Sequence, residues 1–137
     1  MEVEKIEFSF DLPEKNDIIA VIGVSQDTSK WGRKVYEALK RNGYKVYPVN
    51  PKHEFIGEDK CYSSLSAIPE RPTFVITVVP PKVTERVVEE CEKLGIKRVW
   101  MQPGSESEKA INYCNPHGIT VTHHACIVVD GLHQSFG

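Results

Sequence analysis

The sequence predicts an α/β protein with a Rossmann-like, doubly wound, parallel five-stranded sheet that carries helices on both faces. Short continuous apolar runs, typical of strands buried on both faces, recur along the chain. Segments with apolar residues at helical spacing separate these runs. The connections are short, so each strand–helix–strand unit is expected to be a right-handed crossover between parallel strands.

Five segments are predicted to be strands. They are residues 18–24, 44–49, 74–79, 97–101 and 119–122. Numbered along the chain, the strands are predicted to lie in the order 3-2-1-4-5, which reverses between the first and fourth strands. Ligands of such sheets bind at the carboxyl ends of the strands, where the order reverses. The segments after the strands are therefore expected to converge there.

Helical patterns fill three connections. The first carries Val35 and Leu39 and ends at residues 42–43, Asn-Gly, a pair that favours a left-handed cap. The second is an apolar stripe that ends at Gly95, and the third covers residues 105–113.

The remaining segments complete a single predicted domain over residues 1–137. Residues 1–15 are expected to pack as an N-terminal extension. The longer connection over residues 53–72 contains a predicted helical turn at residues 63–68. Residues 125–130 are apolar, but their pattern fits more than one type of structure.

The composition indicates a soluble globular protein of the cytoplasm. Apolar residues make up 40% and charged residues 26%, and no stretch reaches the roughly 20 apolar residues of a membrane span. The N-terminus is charged, unlike a signal peptide. A net charge of -2 argues against broad attraction to nucleic acid or an anionic membrane. The four cysteines lack a C-x-x-C spacing and are expected to be mostly buried thiols.

The loop after the first strand, residues 23–32, has the features of an anion site. Backbone N–H groups and the positive end of the following helix favour a negative charge. Ser25, Thr28 and Ser29 can add hydroxyl donors, and Lys30 and Arg33 can add charge. Gly23 permits a tight turn, and Gly32 permits close approach to the helix start.

Two nucleotide motifs are absent from this loop. Residues 24–31 contain no glycine, so G-x-G-x-x-G is missing, and G-x-x-x-x-G-K-[ST] is missing too. The alternative is an ordinary turn with Thr28 or Ser29 as the helix N-cap.

The end of the second strand distinguishes between cofactors. An NAD enzyme places an acidic residue there to accept hydrogen bonds from the ribose hydroxyls. This chain has Asn50, Pro51 and Lys52 instead. Asn50 can bond a ribose or an adenine edge, and Lys52 suits a nucleotide with an extra ribose phosphate. Coenzyme A and NADP both carry one. The alternative is a plain turn with a solvated lysine.

Together these residues resemble the stand-alone CoA-binding protein family. That family is similar to the CoA-binding domain of the succinyl-CoA synthetase alpha subunit and of ADP-forming acyl-CoA synthetases. The resemblance covers roughly residues 18–129. The matching segments are A-V-I-G-V-S at 20–25, Y-K-V-Y-P-V-N-P-K at 44–52, residues 75–79 with the Pro-Pro after them, W-M-Q-P-G at 100–104 and A-C-I-V-V at 125–129.

The resemblance implies roles for individual residues. Those expected to face the pyrophosphate are Gly23, Val24, Ser25, Lys30 and Gly32. Those expected to line the adenosine end are Asn50, Pro51 and Lys52. Those expected to pack against the nucleotide or the pantetheine arm are Val79, Pro80 and Pro81, with Gln102 and Gly104 at the crevice rim. In the synthetases the catalytic phosphohistidine and the nucleotide-triphosphate machinery lie outside this domain.

Other chemistry is less well supported. His123, His124 and Cys126 include zinc-ligand types, but adjacent residues at a strand end point in opposite directions and no second pair follows at finger spacing. No metal is therefore predicted. Cys126 can be a buried structural cysteine, or it can meet the CoA thiol as a mixed disulfide.

The sequence thus favours non-catalytic binding of CoA or an acyl-CoA as a small-molecule ligand. The chain would act as a carrier, a sensor or a subunit that supplies the CoA site, alone, as a homodimer or with a partner enzyme. The alternatives are an NADP-dependent oxidoreductase or nucleotide-sensing domain, and a protein-interaction domain that has lost its ligand.

Overall fold

The structure is a computed structural model that describes residues 10–133. The strands in this range are β1 (Ile18–Ile22), β2 (Lys45–Val49), β3 (Phe55–Ile56), β4 (Asp59–Lys60), β5 (Phe74–Thr77), β6 (Arg98–Met101) and β7 (Thr120–Thr122). The α-helices are α1 (Trp31–Arg41), α2 (Pro81–Leu94) and α3 (Glu108–Cys114). Single 3₁₀ turns form at Leu65–Ala67 and Asn115–His117, and a π-helical turn forms at Ile127–Gly131.

Five strands form one parallel sheet in the order β2-β1-β5-β6-β7. Two hydrophobic cores cover its faces. One core packs α1 and the π-helical turn against the sheet, and the other packs α2 and α3 against the opposite face. The predicted Rossmann-like, doubly wound parallel sheet is therefore confirmed.

The predicted strand order 3-2-1-4-5 is wrong in the position of one strand. Counted over the five parallel strands, the observed order is 2-1-3-4-5, because β5 pairs with β1 rather than with β2. The order therefore reverses between β1 and β5. As a consequence, the segment after β5 lies directly beside the loop after β1.

Pro48 explains why β2 is an edge strand. Proline has no N–H to donate, so it is confined to edges and bulges of sheets. Pro48 lies opposite Val21 of β1, and its carbonyl oxygen accepts a hydrogen bond from the Tyr62 N–H on the outer side at 3.0 Å. A strand with Pro48 in its interior could not pair fully on both sides, whereas all four residues of β5 are buried.

The ends of the helices follow the sequence closely. The C-cap of α1 is Asn42, which precedes Gly43 at φ 82°, and the C-cap of α2 is Gly95 at φ 73°. Pro81 occupies the first turn of α2, where a missing N–H costs nothing. Ser107 caps α3 by accepting a hydrogen bond from the Ala110 N–H at 3.3 Å.

The long connection over residues 53–72 has more structure than predicted. β3 and β4 form a two-residue antiparallel hairpin that turns at Gly57, with φ 60°. The predicted helical turn at residues 63–68 is a 3₁₀ turn at Leu65–Ala67.

The described part of the N-terminal extension packs against the first residues of β6. The Arg98 guanidinium bonds Asp11 at 3.0 Å and Asp17 at 2.8 Å, and the Phe10 ring lies 5.5 Å from that of Trp100. Residues 1–9 of the predicted extension lie outside the described residues. None of the helices over residues 10–133 combines the length and apolar character that a membrane crossing requires.

Candidate functional site

The loop after β1 makes a tight turn at Gly23. Its φ is 100°, and a Cβ at this position would lie 2.2 Å from the Val78 carbonyl oxygen. The Gly23 N–H donates to the Val49 carbonyl oxygen at 2.8 Å. Only glycine therefore lets the chain pass between the ends of β2 and β5.

Gly32 brings the start of α1 onto the end of β1. A Cβ on Gly32 would lie 2.1 Å from the Gly23 carbonyl oxygen, which is closer than any side chain could come. The first turn of α1 contains no acidic residue, and its N-cap, Lys30, makes no side-chain capping hydrogen bond. The helix therefore presents its positive end next to this loop without a capping side chain from Lys30.

The helix cap differs from the sequence-based alternative. That alternative named Thr28 or Ser29 as the N-cap, but α1 starts later, with Lys30 as the N-cap. Asp27 explains the shift, because its carboxylate accepts hydrogen bonds from the Ser29 hydroxyl at 2.6 Å and the Ser29 N–H at 2.9 Å. These bonds lower the pKa of the Asp27 carboxyl.

Arg33 supports the loop from behind. Its Nη1 donates to the Gln26 carbonyl oxygen at 3.0 Å, and its Nε pairs with Glu37 at 2.8 Å. The Nε and Nη1 groups of Arg33 thus bind oxygen atoms of the chain, which gives this side chain a structural role in the loop.

Asn50 joins the end of β2 to the same loop. Its Nδ2 donates to the Val24 carbonyl oxygen at 2.9 Å, and its Oδ1 accepts from the Lys52 N–H at 2.9 Å. The side chain thus fixes the turn that presents Pro51 and Lys52. It holds the site together more than it offers free donors to a ligand.

A cleft of about 610 Å³ lies along this edge of the sheet. Its lining includes the predicted residues Gly23, Ser25, Lys30, Gly32, Asn50, Pro51, Lys52, Val79 and Pro80. The described residues that line it include two lysines and no carboxylate. On a chain with a net charge of -2, this cleft is a local cationic site.

The other predicted residues lie outside this lining. Val24 is fully buried in the first core, and Pro81 begins α2. Gly104, at φ 92°, donates its N–H to the Glu106 carboxylate at 3.0 Å. These three residues shape the edge of the sheet without lining the cleft.

Gln102 links the end of β6 to the C-terminal segment. The side chain is buried; its Oε1 accepts from the Ile127 N–H at 2.7 Å and its Nε2 donates to the Cys126 sulfur at 3.3 Å. It lines a second cavity beside the cleft, and Trp31 and Val78 line both. Trp31 and Val78 were not among the predicted site residues. The sequence signal for Trp31 was a tryptophan within residues 23–32, the predicted anion-binding loop.

The histidine pair does not form a metal centre with its neighbours. The His123 and His124 rings contact each other edge to face, with centroids 4.6 Å apart. Across residues 10–133, no group of three His, Cys, Asp or Glu side chains is arranged to hold a metal ion.

Comparison with known proteins identifies related sequences. Residues 17–131 match the protein family described as a CoA binding domain. The chain is 36% identical over 135 residues to an ADP-forming acetate–CoA ligase II from Archaeoglobus fulgidus, covering 86% of this chain and 20% of that protein. It is 32% identical over 128 residues to the alpha subunit of the Pyrococcus furiosus ADP-forming acetate–CoA ligase II, covering 85% of this chain and 28% of that subunit.

A solved structure matches over nearly its whole length. A conserved hypothetical protein from Pyrococcus furiosus superposes with a TM-score of 0.78 at 35% identity, covering 82% of this chain and 97% of that one. The chain therefore spans less than a third of the curated ligase sequences but most of this single structure.

Proposed function

Since the chain belongs to the family of CoA-binding domains, we propose that it binds coenzyme A, free or as an acyl thioester, in the cleft at the carboxyl edge of the sheet. The observation that carries this proposal is the contact between Gly32 and Gly23, which places the start of α1 against the end of β1. Backbone N–H groups and a helix dipole at such a junction suit a pyrophosphate.

The chemistry of the donors fits the ligand. Lys30 and Lys52 line the same cleft as the first turn of α1. A CoA molecule carries a pyrophosphate and a separate ribose 3'-phosphate, so two cations at the ends of neighbouring strands in one cleft match its charge distribution. Lys30 is assigned to the pyrophosphate and Lys52, at the end of β2, to the 3'-phosphate.

The order of the strands gives the ligand a direction. The segments after β2, β1, β5 and β6 follow one another along the edge, with roughly 5 Å between neighbouring strands. With adenosine at β2 and pyrophosphate at β1, the pantetheine arm runs past Val79 and Pro80 towards β6. These two residues offer it apolar contacts.

We assign the chain a binding role without catalysis of its own. The ligase from Archaeoglobus fulgidus is about five times as long as the segment that this chain matches. A chain of this kind supplies a CoA site to a partner enzyme, or it carries or senses CoA.

A ligand panel tests the proposal. The melting temperature is measured with CoA, dephospho-CoA, NADP and NAD at equal concentrations, because a ligand that binds only the folded chain raises it. We expect the largest rise with CoA and a smaller one with dephospho-CoA. A larger rise with NADP would favour a dinucleotide-dependent function, and no rise with any of the four would contradict nucleotide binding.

A further inference from the structure

The second cavity, here called the side pocket, has a volume of about 270 Å³. It opens beside the cleft, because Trp31 and Val78 line both spaces. Its other apolar walls are Pro103 and Val129. The pocket lies past β5 on the side of β6, which is where the pantetheine arm leads under the proposed function.

The polar groups of the side pocket already have partners within the chain. Both ends of the Gln102 amide are engaged, one with the Ile127 N–H and one with the Cys126 sulfur. The Asp130 carboxylate accepts the Cys126 N–H at 2.7 Å. A ligand group therefore meets apolar walls and satisfied hydrogen bonds, and it needs no hydrogen bonds of its own there.

The outer wall of the pocket is exposed although it is apolar. Trp31 is 49% exposed and Val129 is 45% exposed. The Lys34 ammonium lies 5.1 Å from the centroid of the Trp31 ring, a distance typical of a cation–π contact that orients the ring. An apolar group placed between Trp31 and Val129 would bury both side chains, which is favourable in proportion to the apolar area covered.

We propose that the side pocket binds the acyl group of an acyl-CoA, and that it selects short, uncharged acyl chains; this inference rests on the proposed function. At about 30 Å³ for each water-sized group, the pocket holds roughly nine non-hydrogen atoms, enough for the end of the pantetheine arm and a few acyl carbons. A terminal carboxylate on the acyl group would meet the exposed Asp130 carboxylate at the side pocket, and the two like charges would repel each other.

Isothermal titration with CoA, acetyl-CoA, butyryl-CoA, succinyl-CoA and octanoyl-CoA tests this inference. Butyryl-CoA is expected to bind more tightly than CoA, by up to about fourfold for each methylene that is buried. Octanoyl-CoA is expected to gain nothing further, because its chain exceeds the pocket. Succinyl-CoA has the same carbon count as butyryl-CoA and is expected to bind about fivefold more weakly than it, because its carboxylate is repelled by Asp130.

Three variants test whether the preference among acyl-CoAs arises in the side pocket. Val129→Asp is expected to abolish the gain of butyryl-CoA over free CoA, so that this variant binds the two ligands with equal affinity. Asn112→Asp adds the same charge on α3, on the opposite face of the sheet, and is expected to change neither affinity. Asp130→Asn keeps an oxygen acceptor for the Cys126 N–H and is expected to narrow the gap between butyryl-CoA and succinyl-CoA.

The outcomes separate this inference from the function on which it rests. If the protein bound CoA and every acyl-CoA with the same affinity, the acyl pocket alone would be overturned. The same would follow if Val129→Asp kept the higher affinity for butyryl-CoA. Failure of CoA itself to bind would overturn both proposals.

Discussion

The Nδ2 group of Asn50 donates a hydrogen bond to the carbonyl oxygen of Val24 over 2.9 Å and so connects the ends of β2 and β1. The loop after β1 and the turn after β2 are thereby held side by side at the edge of the cleft. The bond from the Lys52 N–H to the Asn50 Oδ1 extends the same connection to the cationic end of the cleft.

Replacement of Asn50 tests this connection. Asn50→Ala removes both hydrogen bonds and is expected to lower the free energy of unfolding by about 1–3 kcal/mol and to weaken CoA binding. Asn50→Asp keeps the acceptor for the Lys52 N–H but places a carboxylate against the Val24 carbonyl oxygen. We expect it to weaken CoA binding at least as much as Asn50→Ala. Urea unfolding and calorimetric titration measure the two effects, and wild-type affinity in both variants would contradict the assigned role.

Gly32→Ala tests the junction of α1 with β1. The added Cβ would lie 2.1 Å from the backbone oxygen of Gly23, so the helix start must move away from the strand end. We expect the variant to lose at least about tenfold in CoA affinity and to unfold more easily.

Gly118→Ala is the control for this change. Gly118 has φ 72° with no atom near the added Cβ, so the substitution introduces backbone strain of about 1 kcal/mol far from the cleft. Its CoA affinity is expected to equal that of the wild type. If the two variants lost affinity equally, the effect would come from general destabilisation rather than from the junction.

Lys52→Ala tests the site of the 3'-phosphate. The exposed ammonium is expected to contribute up to about 1 kcal/mol, so the variant should lose most of the difference in affinity between CoA and dephospho-CoA. Lys97→Ala removes the same charge at the opposite edge of the sheet, just before β6, and is expected to preserve the difference. The two affinities are measured at low and at physiological salt, since screening weakens the wild-type preference. An unchanged difference in Lys52→Ala would remove Lys52 from the site.

The ion pairs at the start of β6 make stability depend on pH. Although burial opposes the shift, hydrogen bonds from the Glu14 N–H, Thr73 and Arg98 hold the pKa of Asp17 below its ordinary value of 3.8. In acid, the unfolded chain therefore binds more protons at Asp17 than the folded chain does. Asp17 makes its full contribution to the free energy of unfolding at pH values above 3.8, its ordinary pKa. This contribution is lost as the pH falls through the pKa of the folded state.

Asp17→Asn is accordingly expected to be less stable than the wild type at pH 7, by about 1–3 kcal/mol, with the difference shrinking below pH 4. Chemical unfolding at several pH values measures this. Glu58→Gln, an exposed site on the hairpin turn, serves as the control and is expected to follow the wild-type profile. A difference that stays constant down to the lowest pH would contradict the assignment to the Asp17 charge.

The apolar runs located the strands well because a strand buried on both faces needs apolar residues at every position. The order of the strands depended instead on a single backbone feature. Pro48 is the residue in the sequence that marks β2 as an edge strand. The hairpin at residues 55–60 was missed because two-residue strands leave no periodic pattern.

Within the site, residues whose backbone matters were easier to predict than residues whose side chains matter. Gly23 and Gly32 follow from the geometry of a tight turn and a close approach. The roles of Arg33 and Asn50 did not follow, because each side chain binds backbone oxygen atoms that only the fold brings near. The N-cap is Lys30 because the Ser29 hydroxyl donates to the Asp27 carboxylate and does not cap the helix. The residue types alone do not predict which of these hydrogen bonds Ser29 makes.

CoA binding at the carboxyl edge of the sheet is tested residue by residue when ¹⁵N-labelled protein is titrated with CoA and the shifts of the backbone amide signals are measured. We expect the largest shifts at residues 23–33, Asn50 and Lys52 and smaller ones at Val78 and Val79, while the amide signals of α3 hardly move. Saturating CoA that left residues 23–33 unshifted, or that moved α3 instead, would contradict it.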